Sequence, residues 1–366
     1  MKRFRYIGLI ASSLIIVILL VACSNANKSK DTNMNMDMNH SEKQPSQSGT
    51  VAGQNKNLIY TANESGTVSI IDAASYKVIG TIKDEGTPHN VQVSPNGKVF
   101  AYTLPVKMEK GQKEDQSMNM SKPGSVVFYD AETGKLIKKV EVGNHPAHVV
   151  FTEDGKYVLV TNNADNNVAL LDAHTYNLIT NIPVGNGPHG FRISSDSKYA
   201  YVANMGEDTV SVVDVENRKE IKKLKVGKTP VTTGITKDGK TLVVTINSEN
   251  SLAIVDLASE NVQRVAVSKG PVQVYLEPDD KYAFVANQGT EDNPSNTVSK
   301  IDMATKQVVE TIVTGKGAHG VVVTPDNKYV YVTNMYDNTV SVIDNSTNKV
   351  IQNIQVDAEP NGISYK

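Results

Sequence analysis

Tyr331-Val332-Thr333-Asn334 is followed by Val340-Ser341-Val342-Ile343-Asp344, two β-rich runs joined by a turn, the second closed by an aspartate. The same couplet stands earlier as Tyr201-Val202-Ala203-Asn204 and Val210-Ser211-Val212-Val213-Asp214. The closing aspartate falls at Asp72, Asp130, Asp172, Asp214, Asp256, Asp302 and Asp344, at intervals of 58, 42, 42, 42, 46 and 42 residues. A period of that size marks a repeat architecture, in which one unit cannot bury its apolar surface until its neighbours stack on it.

Each period holds four β-rich runs. In the third complete unit they span 189–194, 199–204, 209–214 and 220–226, with Asp196-Ser197-Lys198 as the first hairpin. Sister hairpins read Pro95-Asn96-Gly97-Lys98, Glu153-Asp154-Gly155-Lys156, Lys237-Asp238-Gly239-Lys240 and Pro325-Asp326-Asn327-Lys328, with residues tolerant of positive φ where a tight turn needs them. Four strands in about 42 residues describe a propeller blade. The reading is therefore all-β, a seven-bladed β-propeller of four-stranded blades over residues 57–366. The units are circularly offset: Leu58 opens a second strand, while Asn361-Gly362-Ile363-Ser364-Tyr365 is a first strand with nothing after it. Pairing of the N- and C-terminal strands would complete one blade and remove an open edge.

Tyr331-Val332-Thr333-Asn334 and its variants resemble the YVTN family of propeller repeats, over about residues 57–366. Asn is missing at Tyr102-Thr103-Leu104 and Val244-Thr245-Ile246, which departs from the pattern in two blades only. The resemblance implies an exported protein, with more distant likeness to the propellers of haem nitrite reductase, nitrous oxide reductase and lactonases. One fold hosts binding, catalysis and scaffolding, so the resemblance leaves activity open.

Lys2, Arg3 and Arg5 precede the apolar run Ile7–Val21, the pattern of an export signal. Leu20-Val21-Ala22-Cys23 resembles a lipoprotein processing site, which implies removal of residues 1–22 and diacylglycerol on Cys23, the chain's one cysteine. Residues 23–56 then form a lipidated, Ser-, Asn- and Met-rich tether, too polar to offset the entropy of ordering and spanning about 30 Å as a coil. The expected location is the extracytoplasmic face of a cell membrane, reached through the lipid anchor. Loss of residues 1–22 lowers Lys+Arg from 37 to 34 against 39 Asp+Glu, a net charge of −5. An acidic body lacks the basic surface that nucleic acid requires, so no nucleic-acid partner is expected.

The repeated aspartates are read as turn formers that accept backbone N–H groups. Histidine is more telling. Aligning the units makes His89, Ala147, His189, Val231, Val272, His319 and Asn361 equivalent, with His145 and His148 flanking Ala147. That position opens the innermost strand, so residues far apart in sequence converge on the channel. The start of strand one, the end of strand two, the start of strand three and the end of strand four share one face of such a sheet. The insertions 105–124 and 288–296, and Met205 and Met335, therefore decorate the histidine face. Six of the ten Met residues lie in polar stretches with no core to fill. Met34, Met36, Met38 and His40, and Met118 and Met120 with Met108 nearby, resemble the Met- and His-rich stretches of exported copper-handling proteins. Thioether suits Cu(I) and imidazole suits Cu(II).

The sequence has no Gly-x-Ser-x-Gly elbow, phosphate loop or His-Glu-x-x-His motif. Arg192, near His189, offers an anion contact or a solvated surface charge. The leading reading is a membrane-anchored binding module whose channel face meets copper, a metal-bearing partner or another envelope protein. The alternatives are a propeller enzyme, either a metal-dependent lactonase-like hydrolase or a haem or copper redox protein, and an envelope scaffold. If Cys23 carries the lipid, Cys23→Ala will leave the protein unlipidated and shift it out of the membrane fraction. Mass spectrometry finding an unmodified Cys23 in the native protein would contradict the anchor.

Overall fold

The two middle runs of each repeat are apolar on both faces, because each sheet is covered by another on either side. In the repeat 188–225, strands Tyr199–Asn204 and Thr209–Asp214 are buried almost throughout, whereas the last strand, Lys219–Lys225, buries only Leu224. The computed structural model describes residues 47–48, 57–107 and 123–366, with Pro45–Lys366 as one compact unit. Seven antiparallel sheets form a closed ring, six of them with their strands in chain order. Blade 1 begins at Leu58, and the first strands of blades 2 to 7 are Val91–Val93, Pro146–Phe151, Pro188–Ile193, Pro230–Ile235, Pro271–Leu276 and Ala318–Val323. The first strand of blade 1 is Pro360–Tyr365, paired with Leu58–Asn63 so that Ile59 faces Tyr365 and Asn63 faces Pro360. First strands touch those of both neighbours and line the axis.

The motif residues now have physical roles. Asn334 Nδ2 donates to Thr339 Oγ1 at 2.9 Å and Ser341 Oγ at 2.8 Å, tying the end of strand two to the start of strand three. Asn204 does the same to Thr209 and Ser211. The threonine before it links blades: Thr103, Thr161 and Thr333 Oγ1 donate to the carbonyls of Ala147, His189 and Asn361 at 2.7, 2.7 and 2.8 Å. The closing aspartates are turn formers as read, since Asp172 Oδ1 accepts the N–H groups of His174 and Thr175 at 3.0 and 2.7 Å. Between blades 1 and 2 the seam is aromatic, Tyr60 on Phe100 at 4.3 Å and Phe100 on Tyr129 at 5.4 Å.

Both insertions leave the end of the ring where the histidines lie. Ser295 O, in the 282–302 hairpin, accepts from Gly317 N two residues before His319, and Pro105 O accepts from Thr87 N two residues before His89. Met108, Met118 and Met120 lie outside the described residues, as do Cys23, Met34, Met36, Met38 and His40. One difference from the sequence reading is that Gln47–Ser48, inside the segment read as tether, pairs with the outer strand of blade 1. That strand's outward backbone groups are the unpaired edge of the sheet. Among the described residues no helix is long and apolar enough to cross a membrane.

Removing residues 361–366 deletes the strand that joins the ends of the chain. The domain should then melt at least about 10 °C lower, since a loss of several kcal/mol shifts a domain of this size by that much. A truncation that melts with the full-length protein would contradict closure by this strand.

Candidate metal centre

A bulge at the start of the first strand, present in six of the seven blades, positions the site. In blade 3 Pro146 faces Asn162 and Val149 faces Val160, so Ala147 and His148 together oppose Thr161. Two residues opposite one break strict alternation and re-aim side chains. Gly190, Gly320 and Gly362 hold the place of His148 in three other blades, where a Cβ would meet Thr232 Oγ1 at 2.5 Å, Asn361 O at 2.4 Å and Asn90 Cα at 2.7 Å. Blade 3 puts an imidazole in that crowded position, and His148 is wholly enclosed. Its N–H donates to Thr161 Oγ1, whose hydroxyl reaches the His189 carbonyl, so the link between blades also sets the two histidines side by side.

One ring nitrogen each from His89, His148 and His189 lies within 4.8 Å of the other two. His148 and His189 have ring centroids 4.9 Å apart, His89 and His189 5.4 Å, and His89 and His148 6.1 Å. The outer nitrogens of two of them face acceptors. His89 Nδ1 is 2.7 Å from Glu64 Oε1, which also accepts Asn361 Nδ2 at 2.7 Å, and His189 Nδ1 is 3.2 Å from the Val231 carbonyl. These acceptors place an N–H on Nδ1 of each ring. The Nε2 atoms of His89 and His189 face one another at 3.3 Å. His148 has no hydrogen-bond partner on either nitrogen among the described residues. A buried unpaired polar group costs about 1–3 kcal/mol, which singles out His148 as a candidate donor.

Burial keeps His148 and His189 unprotonated. Burial, reinforced by the neighbouring histidines, holds His148 well below the usual imidazole range and lowers His189 to about 3. His319 falls to about 4 through burial and the charge of His89, with Glu64 opposing. For Glu64, burial alone would push the carboxyl up, but the His89 hydrogen bond and charge outweigh it and bring the group to about 2.

Of the residues singled out in the sequence, His89 and His189 meet and His148 completes the group, while His319 stands outside it with an unpartnered Nδ1. His145 is exposed on the same rim in a left-handed conformation, φ 52°. Met205 and Met335 follow the second strands at this end, their N–H groups bound to Gly187 and Gly317, and Met335 Sδ accepts Gln288 Nε2 at 3.1 Å. Arg192 lies towards the other mouth. Glu64 escaped the sequence reading, although it follows Asn63 as Met205 follows Asn204 and Met335 follows Asn334; the register that placed those methionines also places it here.

The chain matches the choice-of-anchor I domain over residues 49–268 and a YNCE-like β-propeller over residues 290–365. No curated protein matches it. Among solved structures it is similar to the hydrazine synthase of Kuenenia stuttgartiensis, with 23% identity over 76% of this chain and 89% of that one, TM-score 0.66. A candidate 6-phosphogluconolactonase of Bacteroides fragilis gives 16% identity over 85% and 98%, TM-score 0.68. A dihydro-heme d1 dehydrogenase in complex with DHE gives 15% over 85% and 75%, TM-score 0.61. At these identities the likeness is one of fold.

Acid stability tests the buried neutral rings. Unfolded imidazoles take up protons from about pH 6.5 downward, whereas His189 and His319 stay neutral in the fold to about 3 and about 4. The unfolded chain therefore binds more protons in that window, and stability drops as pH falls, by up to about 1.4 kcal/mol per pH unit for each ring. Glu64 acts in the same direction below its ordinary 4.5, down to about 2. Urea midpoints of the metal-free protein should fall from about pH 6.5 to 4.5, and His189→Gln should flatten that slope by about one proton. Midpoints that do not change with pH would contradict the assignment.

Proposed function

The chain belongs to the choice-of-anchor I domain family, and from that premise we propose that its propeller is a metal-binding module of the cell exterior, tethered through Cys23, that holds copper between His89, His148 and His189. The observation that carries this is the confrontation of His89 Nε2 and His189 Nε2 at 3.3 Å, each with its other nitrogen committed to an acceptor. Two imidazole nitrogens bound tetrahedrally at about 2.0 Å stand about 3.3 Å apart, so the pair already has the spacing of one edge of a coordination polyhedron. His148 supplies a third neutral donor that needs no deprotonation. Glu64 and the Val231 carbonyl act as the outer partners that fix ring orientation and raise ligand basicity.

Three imidazoles accept copper or zinc. Copper is favoured by the thioethers of Met34, Met36, Met38, Met118 and Met120, which belong to stretches outside the described residues and join the proposal on sequence grounds. A metal held by three protein ligands keeps a position open, the arrangement of catalytic sites. That open position favours the second reading, a redox or hydrolytic enzyme, and the neighbours' names as hydrazine synthase, 6-phosphogluconolactonase and dihydro-heme d1 dehydrogenase fit the same reading without assigning a substrate.

Isothermal titration of the mature protein with Cu(II), and with Cu(I) under reducing conditions, should give one tight site. His148→Phe and His189→Gln should each weaken it by more than about 100-fold, and Glu64→Gln by about 10–100-fold, as loss of an outer partner does. Unchanged affinity in the histidine variants, with binding lost instead in Met118→Leu/Met120→Leu, would move copper to the Met-rich stretch and overturn the channel site.

A further inference from the structure

The other end of the channel presents a cation without a counter-ion. Gln92, Val150, Gly234 and Tyr275 occupy the place of Arg192 in the first strands of four other blades, and with it they line a cavity of about 640 Å³. None of these four is charged. Arg192 is half-buried, donates from Nη1 to the Phe191 carbonyl at 3.0 Å, and stands 5.8 Å from the centre of the Tyr275 ring. It forms no ion pair among the described residues. The acids at this mouth are committed elsewhere or solvated. Glu277 accepts Asn345 Nδ2 at 2.6 Å and feels the charge of Lys300, Asp280 accepts the Lys237 N–H at 2.8 Å, and Glu153 is exposed. Burial lowers the Arg192 pKa, with Tyr275 opposing.

A guanidinium fork matches the two oxygens of a carboxylate. The apolar part of the lining, Val150, Phe151, Ile193 and Val274, suits a hydrocarbon body, and the volume is that of a small-molecule site. We propose that this mouth binds a small organic carboxylate, its anionic head on Arg192 and its apolar body against Tyr275 and the aliphatic wall. The site is separate from the histidine cluster and does not depend on a metal there.

Because the Arg192 charge reaches His148, the test uses metal-free protein. Saturation-transfer NMR and isothermal titration with benzoate, hexanoate, acetate and inorganic phosphate should show saturable binding of benzoate and hexanoate, at least about tenfold tighter than acetate or phosphate. Arg192→Met should abolish it, and Arg192→Lys, which keeps the charge but not the fork, should weaken it about tenfold. The same titrations in His148→Phe should be unchanged, which separates failure of this site from failure of the metal centre. No saturable binding, phosphate as tight as hexanoate, or equal binding by Arg192→Met and the parent protein would each overturn the proposal.

Discussion

The backbone pairing of Leu58–Asn63 with Pro360–Tyr365 is the constraint on which the rest of the molecule depends. Each blade is a small sheet with two apolar faces, so no blade is stable with one of them in water. A ring of seven leaves no uncovered face, provided that its first and last elements are joined. The join also assembles the candidate site. Glu64 follows one strand of that pair, Asn361 sits on the other, and both reach the His89 side, so closure supplies the hydrogen-bond partners of His89 on blade 2. Fold stability and site geometry share those hydrogen bonds.

The repeat teaches why some of this was legible in the sequence. Period and turn chemistry are local, and they set blade number, strand order, the split blade and the turn role of Asp72 to Asp344. The phase of His89, His189 and His319 along the repeat placed them at the channel, because equivalent residues of a ring converge. The membership of the histidine cluster was less legible. Phase alone ranked His319 with His89 and His189 and made His148 a neighbour of the relevant position, but the bulge puts two successive residues opposite Thr161 and lets His148 enter the cluster. A bulge depends on how close adjacent backbones come, as the contacts that Cβ atoms would make at Gly190, Gly320 and Gly362 show, and that closeness is a property of the assembled ring. The pairing of Gln47–Ser48 escaped for a related reason, since an edge strand is recruited by a partner's free backbone rather than by its own composition.

The cluster is unfavourable in isolation, which is what marks it. Three imidazoles stand together, and His148 among them is fully enclosed and without a hydrogen-bond partner among the described residues. A buried polar group without a partner calls for an explanation, and the proposed metal site offers one. The other mouth carries Arg192, so the channel has an imidazole-rich end and a cationic end.

Anomalous diffraction at the copper absorption edge, from crystals of the copper-loaded mature protein, tests the central claim most directly. The account predicts one dominant peak between His89 Nε2, His189 Nε2 and a nitrogen of His148. A map with that position empty while copper occupies other ligands would contradict it.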